Sequence, residues 1–384
     1  MKRVLIVHFA NLNKAGRVIK EIEALKEDYY LDTIGIIGSG YQDVGFFKYK
    51  PNGLKTKIDK VIRLLNIQFF RYGHVLSQDY NLGCIEGIEH LLRPDIIIAH
   101  NSTGLYFSRC LCKEKEWDIP IILNEHEYEF DDVGNFISSL TKRPMRYYLR
   151  HHYNDACKII ACGEYIAREY EKTFNIPNGS VEVIPNVRDY FESITPHKTD
   201  ENNIKLVHHG IAIPGRQLED LVKIMDYLDP DRYSLHLYLM QTDKRYYSSI
   251  NELCKRYSNI EIHVPVEYGQ IPTMLNDYDI GISFVPPDSF NHIYCLPNKF
   301  FEFVQGRLAI AVGNSPQMAE YIERYDLGVY CNEYSSKEIA SRIASLSTDD
   351  IERFKSNSNK HAYELSSEMI IPRLKKIVYE FIGK

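Results

Sequence analysis

The stretch "IKLVHHGIAIPGRQLEDLVKIMDYL", Ile204 to Leu228, decides the fold. It opens on an apolar strand and turns through a loop that ends in glycine and arginine. It then places Leu218, Leu221, Val222, Met225 and Leu228 at helical spacing. The start of the chain has the same form. "RVLIVHF", Arg3 to Phe9, is followed by a polar loop. A helix is then predicted from about Lys14 to Lys26, with Val18, Ile19, Ile22 and Leu25 on one face. Such aliphatic runs suit parallel strands covered on both faces.

Each opening is followed by further strand-like runs separated by helical segments. After the first come "TIGIIG", "DIIIAH", "IPIILNEH", "KIIACG" and "VEVIPN"; after the second come "SLHLYLM", "IEIHV", "IGISFV", "LAIAVG" and "GVYC". This alternation predicts an α/β protein of two Rossmann-like, doubly wound domains. The polar, proline-containing "ESITPHKTDENN" after "VIPNVRDYF" reads as the linker. The expected division is 1–190, 191–365 and a terminal segment 366–384. "EMIIPRLKKIVYEFIGK" in that segment is expected to be a helix, interrupted at Pro372, that packs back on the first domain.

The composition is that of an ordinary globular protein of 384 residues, 44% hydrophobic and 26% charged, long enough for two cores. A net charge of -6 argues against a general nucleic-acid binder. The N-terminus lacks the form of a signal peptide, and no run approaches the roughly 18 apolar residues that span a bilayer, so a cytoplasmic location is expected. The eight cysteines show neither zinc spacing nor a disulfide framework, and reduced thiols are expected. From Lys48 to Arg71 there are seven Lys or Arg and one acid, interleaved with Ile58, Val61, Ile62, Leu65, Phe69 and Phe70. "TKRPMRYYLRHHY", Thr141 to Tyr153, adds a second basic aromatic segment. An anionic membrane surface and a plain solvated helix face fit this pattern equally well.

In open α/β sheets ligands bind beyond the carboxyl ends of the strands. In the second half these ends carry His208, His209, Gly210 and the loop to Arg216. Arg216 is expected at the start of a helix, a setting for phosphate. "LPNKFFEF", Leu296 to Phe303, lies at a later strand–helix junction. Asn298 is expected as N-cap, Lys299 in the first turn and Glu302 one turn on. A lysine there opposes the helix dipole, which a bound anion would offset. Glu302 can accept two hydroxyl hydrogen bonds, as a ribose diol offers. A surface i,i+3 ion pair fits the spacing equally well.

The ordered motifs resemble a GT-B glycosyltransferase, close to the retaining family 4. "LPNKFFEFVQGRLAIAVGNSPQMAEYI" resembles its donor block, P-x-K-x-x-E followed by glycine, strand and small-residue loop. "GIAIPGRQLEDLV" resembles its phosphate loop. "IPIILNEHEYEF", "PDIIIAHN", "VEVIPNV" and "NKAGRVIKEIEAL" are similar to its first-domain blocks. The resemblance implies two domains facing a central cleft that closes on its substrates. It also implies transfer of a sugar from a UDP- or GDP-sugar to a saccharide or lipid-linked acceptor in cell-surface polysaccharide or glycolipid assembly, with retention and with neither cofactor nor metal. Arg216 and Lys299 would neutralise the donor diphosphate, with Gly210 and Gly215 bringing backbone amides close. Glu302 would hold the ribose, beside Pro297, Asn298 and Tyr294. His126 would stand on the donor-sugar side, or serve as a strand-end histidine with a structural hydrogen bond; Arg17, His100 and Asn101 would lie on the acceptor side or be merely structural. The chain departs from the pattern at Tyr294, where many members carry glutamate, and at Leu221, where many carry lysine; Lys299 would supply that charge. "DYD" at Asp277 to Asp279 imitates a metal-binding triplet, but it reads as a helix exit leading into a strand. A nucleotide-sugar epimerase of the same architecture and a non-catalytic nucleotide-sugar-binding partner are the rival readings.

Overall fold

The structure, a computed structural model, describes residues 1–51, 57–131 and 136–383. The chain divides into two compact units, Met1–Asn186 with Ile370–Lys384, and Val187–Met369.

The first unit holds β1 (Arg3–Val7), β2 (Tyr30–Gly35), β3 (Gly45–Lys48), β4 (Ile96–His100), β5 (Ile121–Glu125), β6 (Lys158–Ala161) and β7 (Val181–Val183). They form one sheet in the order β3-β2-β1-β4-β5-β6-β7, with parallel pairs throughout. The second unit holds β8 (Ile204–Ile211), β9 (Tyr233–Met240), β10 (Ile260–His263), β11 (Ile280–Ser283), β12 (Ala309–Val312) and β13 (Gly328–Tyr330). Their order is β10-β9-β8-β11-β12-β13, again parallel. The order reverses between β1 and β4 and between β8 and β11, the switch points at which open sheets leave a crevice. Both sheets are doubly wound, as the alternation predicts. The edge strand β3 is an addition, because "GFFK" is too short to stand out and alternates between half-buried and exposed.

Val4, Ile6, Val18, Ile22 and Ile98 share one core with Leu374, Ile377, Val378 and Ile382, so the terminal helix completes the first unit. That helix, Ser367–Ile382, runs unbroken through Pro372, contrary to the expected interruption. Pro372 sits early in it, where the missing N–H forfeits a single bond.

Two further expectations are corrected in the second unit. The stretch 192–203 is not a free linker: Ile194 is buried, and the Thr199 hydroxyl donates to Asp279 Oδ1 at 2.9 Å. Asp279 also accepts from the Lys205 N–H at 2.9 Å and pairs with Lys355 Nζ at 2.9 Å, both side chains almost fully buried. The DYD triplet is thus a helix exit whose last carboxylate anchors the fold. The segment from Arg216 to Leu228 is not one helix. A 3-10 turn Pro214–Arg216, a left-handed Gln217 (φ 44°), a short helix Leu218–Val222 and a second 3-10 turn replace it. Leu221 turns into the core.

The helix Lys57–Gln68 exposes Val61, Ile62 and Leu65, followed by exposed Phe69 and Phe70, while Ile67 packs with Tyr72, Val75 and Leu140. Within the Lys48–Arg71 segment, residues 52–56 lie outside the described residues, as does the Ile58 side chain. No described helix is long and apolar enough to cross a membrane.

Candidate functional site

The second unit gathers its predicted residues at the carboxyl ends of β8 and β11. The helix Asn298–Gln305 buries Phe300, Phe301, Phe303 and Val304 completely, so the phenylalanines are its anchor. The Phe303 ring fills the place of a side chain at Gly281 on β11, where a Cβ would stand 2.4 Å from it. Pro297, not Asn298, is the N-cap, and Asn298 opens the helix. A proline there fixes the incoming strand-like backbone without giving a capping side chain. Lys299 therefore occupies the first turn, and Glu302 the next.

Lys299 and Glu302 do not pair with each other. Lys299 Nζ lies 3.4 Å from His208 Nε2. His208 donates its Nδ1–H to the Ile282 carbonyl at 2.8 Å, which leaves the Nε2 lone pair facing the ammonium. Gly210 follows at φ +142°, a left-handed backbone, and a Cβ there would stand 3.5 Å from Lys299 Nζ. Glycine thus meets the left-handed φ that the strand end adopts beside the lysine. Burial, then the nearby charge of Arg216, lowers the Lys299 ammonium to about 8. Two cations converge with no carboxylate paired to either among the described residues. Arg216 reaches this place from the 3-10 turn Pro214–Arg216, two residues before the short helix Leu218–Val222. Gly215 lies in that turn with open space around it.

Glu302 is 3% exposed, with Oε2 3.3 Å from His209 Nε2 and Oε1 3.9 Å from Arg188 Nε. Burial raises its carboxyl, and Arg188 and Lys299 oppose that rise. Burial lowers His209 to about 3, with Lys299 and Arg188 adding to the effect, so His209 is neutral. Arg188 is itself held by the Tyr268 carbonyl at 3.0 Å and lies 3.6 Å over the Tyr268 ring. Cys295 is half-buried beside Arg216 and Lys299, and Tyr294 ends the short helix Phe290–Ile293 against the Phe290 ring. Sequence reasoning missed Arg188 and Cys295 altogether. Arg188 follows directly on "VIPNV", its only signal in the sequence.

In the first unit Arg17, His100, Asn101 and His126 come together at the ends of β1, β4 and β5. His100 is fully buried between two partners, Glu21 Oε2 at 2.7 Å from Nε2 and His126 Nε2 at 2.8 Å from Nδ1. Asn124 donates to the other Glu21 oxygen at 2.6 Å. With Glu21 accepting, a neutral His100 carries its proton on Nε2 and accepts from the Nε2–H of His126, which would leave His126 Nδ1 as an acceptor. Asn101 adopts a left-handed φ of 58°, and its Oδ1 accepts from the His126 N–H at 3.2 Å. Arg17 donates to the Ile184 carbonyl at 2.8 Å. His8 packs against both other rings and, like His126, is kept neutral by burial. Glu21 and His8 were not singled out from sequence. Glu21 lies one turn after Arg17 on the first helix, which is its signal.

Residues 50–190, a little over a third of the chain, match the model of Glycosyltransferase Family 4. No curated protein matches the sequence. Solved structures match it over its length. HepE of Anabaena in complex with UDP-glucose has a TM-score of 0.68 at 12% identity, covering 99% of this chain and 100% of that one. A glycosyltransferase of Rickettsia africae gives 0.69 at 14% identity, covering 100% and 99%. A UDP-forming trehalose-phosphate synthase of Burkholderia xenovorans gives 0.70 at 14%, covering 99% of each. With its two doubly wound parallel sheets, the chain is a GT-B fold protein that resembles glycosyltransferase family 4.

Proposed function

We propose that the chain transfers a sugar from a nucleotide diphosphate donor to an acceptor hydroxyl. One observation carries this reading. Arg216 and Lys299 converge beside the strand end at Gly210 with no carboxylate paired to either among the described residues, and a buried carboxylate, Glu302, stands one helical turn from Lys299. A nucleoside diphosphate suits this arrangement, its phosphates beside the two cations and its ribose diol on Glu302. Arg188 and His209 keep Glu302 oriented. In the oxocarbenium-like transition state, charge grows on the leaving diphosphate, and preorganised cations lower the barrier as it does so. With two cations serving the phosphates, no metal is assigned to the step.

His126 presents its Nδ1 acceptor to a sugar hydroxyl, held in that tautomer by Glu21 through His100. Arg17 and Asn101 shape the same surface from behind it. Retention, a UDP or GDP base, and an acceptor in cell-surface polysaccharide or glycolipid assembly are the finer parts of the reading. So are a cytoplasmic location and a peripheral membrane contact through the basic segment Lys48–Arg71, whose exposed apolar residues Val61, Ile62, Leu65, Phe69 and Phe70 favour it. The domain limits 1–190, 191–365 and 366–384 are part of this reading too. The HepE neighbour, crystallised with UDP-glucose, makes UDP-glucose the first donor to try.

The test is turnover. Arg216→Ala should lower kcat by roughly 10²-fold or more with folding intact, the cost of one lost transition-state contact of about 3 kcal/mol. Unchanged turnover would sink the proposal.

A further inference from the structure

We propose that His236, Glu261 and His263 form a binding site for a divalent transition-metal ion of the zinc type, on the open face of β9 and β10. The sheet register builds the site. Glu261 is paired directly opposite His236, and His263 is opposite Tyr238, so all three side chains leave the same face of two adjacent parallel strands. That face continues across β8 through His209, which is opposite Tyr238. The core-facing residues of β9 are the alternate ones, Leu235, Leu237 and Leu239.

Three atoms converge. His236 Nδ1 lies 2.9 Å from His263 Nε2, Glu261 Oε2 lies 3.8 Å from the first and 3.6 Å from the second. A tetrahedral zinc ion with bonds of about 2.0–2.2 Å requires ligand atoms about 3.3–3.5 Å apart. The three separations bracket that value, so small side-chain rotations suffice to seat an ion. Two imidazoles and one carboxylate form the donor set of a borderline ion rather than of magnesium or calcium, which take oxygen ligands.

The outer contacts agree with this. Ser234 Oγ lies 3.1 Å from His236 Nε2 and accepts its N–H, which turns the Nδ1 lone pair toward the other two groups. The Tyr238 ring stacks on His263 at 4.7 Å and fixes its plane. The groove beside the two imidazoles is also lined by His197, Asn276 and Asp277, with Lys205 at its side. A bound ion would join the edge strand β10 to β9 through side chains. It would lie on different strands from the cations assigned to the donor phosphates.

The experiment uses the full chain, stripped with chelator and titrated with zinc or magnesium by calorimetry and thermal melting. One zinc per chain is expected, with a melting temperature that rises with zinc and not with magnesium. His263→Ala should abolish that binding. Glu261→Gln, at an exposed side chain that cannot threaten folding, should weaken it at least tenfold. Ser234→Ala should weaken it about tenfold, the usual effect of losing an orienting contact. Absence of zinc binding at micromolar concentration overturns the proposal. So does binding that survives both His263→Ala and Glu261→Gln, or equal binding of magnesium. The donor-site variant Arg216→Ala should leave zinc binding unchanged, which separates this test from that of the proposed transferase activity.

Discussion

The lysine at the donor site should couple donor binding to a proton. Its ammonium is lowered to about 8 from an ordinary value of 10.5, first by burial and then by Arg216. Since the folded value lies below the unfolded one, the unfolded chain holds the proton more tightly between these limits. Lys299 therefore costs stability below pH 8, and that cost fades as the pH rises toward the unfolded value. Donor binding works the other way. A diphosphate between Lys299 and Arg216 favours the charged lysine, so binding at alkaline pH must first restore the proton. With a free-state value of about 8 that the bound diphosphate returns toward the ordinary 10.5, affinity should fall about tenfold from pH 7 to pH 9, or ~1.4 kcal/mol. A nucleotide-sugar suits the measurement because its diphosphate keeps its charge over this range. Titration calorimetry of UDP-glucose in two buffers of different ionisation enthalpy counts the protons. About half a proton should be taken up at pH 8 and nearly one at pH 9. Lys299→Met should bind more weakly and lose the pH dependence. Flat affinity from pH 7 to 9 with no proton uptake, in a protein that binds the donor, would refute the reasoning.

Three other outcomes follow from the geometry. Glu21→Gln offers an N–H in place of a carboxylate oxygen, which reverses the tautomers of His100 and His126; kcat should fall by roughly 10²-fold with donor affinity unchanged, in steady-state kinetics beside calorimetry. Lys355→Met strands the buried Asp279 carboxylate and should lower unfolding free energy by roughly 3–5 kcal/mol in urea titrations, while Lys355→Met with Asp279→Asn should recover most of the loss; an unchanged midpoint in the single variant contradicts the anchoring role. The full chain should sediment with anionic liposomes at low salt, and Phe69→Glu with Phe70→Glu should release it; sedimentation that the double variant leaves intact removes the membrane reading.

The sheets were legible because parallel strands buried on both faces leave uninterrupted aliphatic runs, such as Val4 to Val7 and Ile96 to Ile98. The edge strand β3 was not, since half of its short length faces outward. Helix spacing was correct for the phenylalanines of 300–303. It misread the segment after Arg216, because a single left-handed residue, Gln217, resets the register and no propensity marks it. Lys299, Glu302 and Gly210 could be found from their places on strand ends. Arg188 and Glu21 left only faint signals, because each meets its partner through a contact distant in sequence: Arg188 meets Glu302, and Glu21 meets His100; Cys295, four residues before Lys299, carried no pattern to mark it. The distance between Lys299 and its supposed partner Glu302 also lay beyond spacing alone. Spacing places both on one helix face, whereas packing sends the lysine to His208 and the carboxylate to Arg188 and His209.

The most direct test of the account is a thermal-shift series of UDP, GDP, ADP and CMP and their sugars on the wild-type chain and on Arg216→Ala and Glu302→Ala. One of the nucleoside diphosphate families should raise the wild-type melting temperature, and both variants should lose most of that rise while melting cooperatively without ligand. A wild-type chain that responds to no nucleotide diphosphate, or a rise that both variants retain in full, contradicts a donor site built on Arg216, Lys299 and Glu302.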